Sequence, residues 1–246
     1  MKIIVFQDIH GNIDVLNKLC ETEDYKTADV KIFLGDIVGL GPENKECVDK
    51  LKTMDSINLM GNHDYWIGDH MGRYELNKCD LEKILHEQYC RNQLTSADRE
   101  FLKSFKKDHV IEAYGKKLYF THFIWQSEED TIHANTRDKQ GLLEVFKDYN
   151  YDYIIYGHEH DPHIAIGKDK TLVCFGCTGI IYPGYYGVIS IDESGVKMEQ
   201  KTLQFDLKAL KEKIDNLKYP FYYKFINFYE YSKFMIDIND ELKNVK

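Results

Sequence analysis

Apolar residues fall into short continuous runs and helically spaced stripes, and the alternation of the two predicts the elements. Lys2-Ile3-Ile4-Val5-Phe6 is an apolar run suited to a strand buried on both faces. Asn12 can cap a helix whose apolar positions, Ile13, Leu16 and Leu19, share one face. Val30 to Leu34 reads as a second strand. Pro42 marks a helix start with Cys47, Val48 and Leu51 aligned, and Ile57 to Met60 reads as a third strand. This β-α-β-α-β rhythm predicts a right-handed parallel sheet.

From about 65 to 107 strand signals vanish. Leu81, Ile84, Leu85 and Gln88 form one predicted helical stripe, and Thr95 or Ser96 can cap a second helix carrying Phe101, Leu102 and Phe105. Strands return at His109 to Tyr114 and Lys117 to Thr121, joined as a hairpin at Gly115-Lys116. A helix near 138–148 precedes the strand Tyr153 to Tyr156, a β-meander is expected from Ile164 to Lys201, and a helix over 206–218. Phe225, Ile226, Phe228 and Tyr229 in the aromatic tail 221–246 can form an apolar stripe. It is expected to pack on its own domain, with a homo-oligomer contact as the alternative. With no internal repeat or linker, residues 1–246 are expected to form one domain with a helical elaboration at 65–107.

Composition narrows the partners. A formal charge of −9 argues against a protein that wraps nucleic acid or coats an anionic membrane. No apolar stretch approaches a membrane span or a signal-peptide core, so a cytoplasmic protein is expected. Cys174 and Cys177 form a CxxC, but no second pair stands at zinc-finger spacing, and buried reduced thiols are the expectation.

The chemistry gathers after strands. Asp8-Ile9-His10-Gly11-Asn12 follows the first, Gly35-Asp36-Ile37-Val38-Gly39 the second and Gly61-Asn62-His63-Asp64 the third. His122 and Gly157-His158-Glu159-His160 follow two later strands. Carboxyl ends of parallel strands converge on one crevice, so residues distant in sequence can meet there. Imidazole combined with carboxylate and amide oxygens suits Mn, Fe, Zn, Co or Ni better than the all-oxygen cages of Mg or Ca. Two divalent ions with two aspartates would leave roughly +2, enough to draw a phosphate into an acidic protein.

In order and spacing, D-x-H, G-D-x-x-G, G-N-H-D, a strand-end His and G-H-x-H resemble the calcineurin-like metallophosphoesterase superfamily, notably its small bacterial and archaeal phosphoesterases. The similarity covers roughly residues 1–220. It implies an α/β (α+β) fold: a four-layer αββα sandwich of two mixed β-sheets flanked by helices. It also implies two divalent metal ions, Mn or Fe/Zn. Asp8, His10, Asp36 and His160 would hold one, and Asp36, Asn62, His122 and His158 the other. A hydroxide between the metals would be the nucleophile, and His63 would face the leaving oxygen as general acid or transition-state stabiliser. The activity implied is phosphodiesterase or small-molecule phosphatase, with a small phosphoester as substrate and nucleotides among the candidates.

Departures blur the substrate. Gln7 precedes D-x-H where Ser is common, Phe123-Ile124-Trp125 follows His122 where relatives often have Gly-Ser, and Cys174 to Gly179 replaces a frequent Asn-Pro-Gly-Ser. Gly39-Leu40 stands where the superfamily's phosphoprotein phosphatases carry an Asp-Arg phosphate clamp, which argues against a protein phosphatase. Tyr65, Trp66, Trp125, Tyr182, Tyr185 and Tyr186 are candidates to stack on a nucleobase or aryl group. Asn12 is expected only to cap its helix, Asp64 to orient its loop, and His163 is a candidate for the pocket rim. His70, His86, His109 and His133 lack a motif and are expected to be surface or core. Two alternatives are a non-catalytic interaction scaffold, as in the retromer subunit with this fold, and a superfamily nuclease. Retained ligands weigh against the first, and acidity against the second.

Overall fold

The computed structural model describes residues 1–69, 81–125, 135, 138–217 and 236–245. The apolar stripe expected at Phe225 to Tyr229 lies outside them, as do His70 and His133. Two five-stranded mixed sheets face each other. In the first, β1 (Lys2–Phe6) is central, with β2 (Val30–Phe33) parallel beside it and β3 (Ile57–Asn58) beyond. In the second, β5 (Lys116–Thr121) pairs antiparallel with β4 (Asp108–Ala113) and parallel with β6 (Tyr153–Tyr156). There β8 (Thr171–Cys174) runs parallel to β6, with β7 (His163–Ile166) antiparallel at the edge. The first sheet is completed by β9 (Gly184–Asp192), antiparallel to β1, and β10 (Gly195–Leu203).

Alternation along β1 builds the layers. Ile3 and Val5 point between the sheets, where they meet Leu118, Phe120, Tyr153 and Ile155. Ile4 and Phe6 point outward and pack under α1 (Ile13–Glu21), α3 (Asn44–Lys52) and α8 (Leu207–Leu217). The outer face of the second sheet, through Tyr119, Ile154 and Tyr156, is covered by Leu142 and Phe146 around α7 (Lys139–Val145). A short α2 (Glu23–Thr27) follows α1. Helix, sheet, sheet, helix is the layering implied by the resemblance, where strand rhythm alone predicted one parallel sheet.

Local departures have physical causes. The expected meander is divided, β7 and β8 joining one sheet and β9 and β10 the other. A strand's alternating pattern records two faces but not which sheet it joins. The hairpin turns at Tyr114 and Gly115, both at positive φ (50° and 72°), one residue earlier than expected. The helical elaboration comprises α4 (Asn62–Asp69), α5 (Leu81–Gln93) and α6 (Ser96–Lys103). Thr95 caps α6 through a reciprocal box with Asp98. Of the stripe expected on α5, Leu85 is 46% exposed and Gln88 is exposed, whereas His86, Glu87 and Cys90 are buried; the side chains of Leu81 and Ile84 lie outside the described ones. Near the C terminus Ile238 and Leu242 pack on the inter-sheet core beside β10. Among the described residues no helix is long and apolar enough to cross a membrane.

Candidate metal centre

Every sequence-predicted site residue lies just beyond a strand, and the loops that carry them need unusual backbone. Asp8, His10, Asp36 and His158 all have positive φ (52°, 48°, 62° and 68°), a region non-glycine residues avoid. Such strain, of order 1–3 kcal/mol per residue, persists only where the surroundings enforce it. Here they do. The Asp8 amide donates to the Gly35 carbonyl (2.9 Å) and the His10 amide to that of Asp36 (3.0 Å). Asp64 clamps the second loop: its carboxylate accepts the amides of Asp36 (2.7 Å), Ile37 (2.9 Å), Val38 (3.4 Å) and Gly61 (3.1 Å). That is the orienting role expected of it. Gly61 is required by contact, since a Cβ there would lie 2.1 Å from Asp36 Oδ1.

The side chains converge as two sets sharing Asp36. His10 Nε2 is 3.3 Å from His160 Nε2, 3.9 Å from Asp8 Oδ1 and 3.7 Å from Asp36 Oδ2. On the other side His122 Nε2 is 3.4 Å from the same Asp36 oxygen. Asn62 Oδ1 lies 2.9 Å from both His122 Nε2 and His158 Nδ1. Donor atoms bound at about 2.1 Å to one cation sit roughly 3.0–3.4 Å apart, so the shorter of these separations suit ligands sharing an ion. The Nδ1 atoms of His10 and His122 face the Val38 and Leu34 carbonyls (3.2 and 2.9 Å), which fixes a proton on each Nδ1 and turns each Nε2 inward.

Burial and charge give the donors distinct protonation. Both oxygens of Asp8 are buried without a hydrogen-bond partner among the described residues. Burial, reinforced by Asp36 and opposed by His122, pushes its carboxyl up to about 8. Burial also opposes ionisation of Asp36, but His122, His63 and His10 around it hold it well below the usual carboxylate range. Burial would neutralise His122, yet Asp36 first, then Asp8 and Asp64, raise it to about 9. Desolvation lowers His10 and His160, leaving neutral imidazoles. A buried carboxyl and imidazole nitrogens gathered around Asp36 form a set that divalent cations complete by displacing the protons held on Asp8 and His122.

His63 stands with His10 and Asp36 in one cluster of potential donors, so proximity alone does not separate it from the ligands. Its amide donates to Asp36 Oδ1 (2.8 Å), and its ring packs against His10 and Trp66, each at 4.9 Å. Gly39, at φ +87°, presses on that ring, and a Cβ there would meet Nδ1 at 2.4 Å.

Other candidates disperse. Asn12 caps α1 through Val15 and also donates to the Gly179 carbonyl (2.7 Å). His163 is not at a rim: it is buried, accepting from the Tyr156 hydroxyl (2.6 Å) and bonded to the Asp161 carbonyl (2.7 Å). Tyr185 and Tyr186 are buried, and the Tyr186 hydroxyl donates to Asp24 (3.0 Å). Tyr182 packs edge-on against Phe205 at 5.2 Å. Trp66 lies against His63, and Tyr65 and Trp125 pair at 6.1 Å. Cys174 and Cys177 are buried free thiols bonded to the Glu159 and Asp8 carbonyls (3.0 Å each), with pKa values raised by desolvation.

The family model for the calcineurin-like phosphoesterase superfamily domain matches residues 1–193. A Methanocaldococcus jannaschii protein known as uncharacterized protein MJ0912 is 28% identical over 243 residues, 89% of this chain and 93% of its own. Among solved structures, the hypothetical protein PH1004 of Pyrococcus horikoshii superposes with a TM-score of 0.78 at 17% identity, covering 92% of this chain and 96% of its own. A metallophosphoesterase of Sphaerobacter thermophilus gives 0.71 at 18% identity, covering 93% and 99%.

Proposed function

The chain belongs to the calcineurin-like phosphoesterase superfamily, a class whose chemistry is phosphoester hydrolysis, and we propose that it hydrolyses small phosphoesters, nucleotides among them, at two divalent metal ions. The observation that carries this reading is the convergence of Asp8, His10, Asp36, Asn62, His122, His158 and His160, with the Asp8 carboxylate buried and lacking donors among the described residues. Asp8, His10, Asp36 and His160 hold one ion, and Asp36, Asn62, His122 and His158 the other. When bound, such ions supply hydroxide near neutral pH and neutralise charge growing on the phosphoryl oxygens.

The chain's own groups do the rest. Asp36 reaches both sets through one oxygen while its second oxygen holds the His63 amide, so the shared ligand also anchors the acid. His63 in its protonated form donates to the departing oxygen, whose bond to phosphorus breaks as the new P–O bond forms. Leu40, half-buried against the helical core, occupies the position of the absent arginine clamp, which favours small esters over phosphoproteins.

Metal-reconstituted protein assayed on bis(4-nitrophenyl) phosphate, 4-nitrophenyl phosphate and a nucleotide panel tests the reading. Turnover that a chelator abolishes is expected on at least one arm. Silence on every arm with metal bound would refute it.

A further inference from the structure

The turn Gly39-Leu40-Gly41 sits between the Asp36 loop and the ring of His63, and its hydrogen bonds come from His86 on α5 and from Asn44 at the start of α3, itself held by α5. Gly39 and Leu40 both have positive φ (87° and 59°). Their amides point away from any regular partner and need acceptors. Leu40 N–H donates to His86 Nε2 at 2.8 Å. Gly39 N–H donates to Asn44 Oδ1 (2.7 Å), and Asn44 Nδ2 donates to the Gly41 carbonyl (3.0 Å). Asn44 is in turn held by Gln93, whose Oε1 accepts the Asn44 amide (3.0 Å) and whose Nε2 donates to the Pro42 carbonyl (2.8 Å). His86 and Gln93 are seven residues apart, two turns along one face of α5. This explains why His86 is buried on α5 while Leu85 is exposed. Burial keeps His86 neutral, lowering its pKa to about 3, so Nε2 remains an acceptor at working pH.

We propose that His86 and Gln93 are positioning residues: α5 sets the Gly39–Gly41 turn against the His63 ring and thereby aims that ring at the leaving oxygen. The proposal rests on His63 being the proton donor. No contact of His86 with substrate is involved.

The test uses the full chain loaded with metal, the variants H86L, H86Q, H63A and H86L/H63A, and aryl phosphodiesters with good and poor leaving groups. H86L removes the acceptor, and H86Q restores one at the reach of Nε2. With metal content unchanged, H86L is expected to slow the poor leaving group on the order of tenfold and the good one less than about twofold. H86Q recovers most of the loss, and H86L adds nothing in the H63A background. Equal losses with both substrates, or no recovery in H86Q, overturn the proposal. If H63A itself slows both substrates alike, the proton-donor reading fails. NMR of the zinc-loaded protein then judges the brace by itself: the His63 ring resonances shift in H86L and return in H86Q if it holds, and stay in place if it does not.

Discussion

Strand ends of the first sheet bring Asp8, His10, Asp36 and Asn62 to the centre, whereas those of the second bring His122, His158 and His160. The two halves are held differently. On the first side three of the four donors sit at positive φ, and main-chain bonds and the Asp64 carboxylate fix the loops. On the second side only His158 has positive φ; main-chain bonds from Gly157 to His122 and from Cys177 to His160 hold the donors, and the ring of His122 is oriented by the Leu34 carbonyl across from it, on the first sheet's side. The oxygen donors therefore all come from the first side, in loops clamped by Asp64, while the second side contributes imidazoles alone. Damage to the first side should spread through the centre, while damage to the second should stay local.

The strongest way to break this comparison is at the shared ligand. D36N is expected to lower turnover on the order of a thousandfold or more and to cost metal, because one oxygen serves both sets and the other holds His63. Near-normal turnover at saturating metal would remove Asp36 from the mechanism.

Next comes the clamp. D64A leaves the buried amides of the second loop without their acceptor. We expect a loss of about 3 kcal/mol in stability and on the order of a hundredfold in metal affinity, read by denaturant melts and calorimetry. D64N keeps an acceptor oxygen and should fall between. An unaltered metal affinity in D64A would mean the strained loop holds itself.

A third test uses pH. Burial pushes the Asp8 carboxyl up to about 8, and Asp36 holds His122 up at about 9 against burial, so both carry protons at pH 7 that an incoming cation must displace. Metal affinity is therefore expected to rise with pH from 7 to 9, by up to roughly tenfold per unit for each proton released. Binding enthalpies in buffers of different ionisation heat count those protons. Release of none at pH 7 would contradict the charges assigned to the two halves.

The smallest effect is expected at Asn12, which caps α1 and reaches the segment joining the two sheets. N12A should cost about 1–2 kcal/mol of stability and leave metal content intact.

Much of this was legible in the chain because the donors cluster immediately after apolar runs. The motif around Asp8, the Asp36 loop and the Asn62-His63-Asp64 turn each needed only a strand end to acquire meaning. What could not be read were features set by packing. Tyr185 and Tyr186 look like rim aromatics in sequence, yet β9 places them in the core. On α5, His86 and Gln93 accept the amides of Leu40 and Asn44, a demand no hydrophobic pattern records. Positive φ at Asp8, His10 and Asp36 was likewise hidden, since none is a glycine.

Metal stoichiometry in the reconstituted protein tests the central claim most directly. Elemental analysis after exhaustive desalting should give two divalent ions per chain for wild type. H158A should lose one and keep the other, since only the set around Asn62 and His122 is touched. One ion or none in the wild type, or two retained in both D36N and H158A, would contradict a centre shared between the sheets.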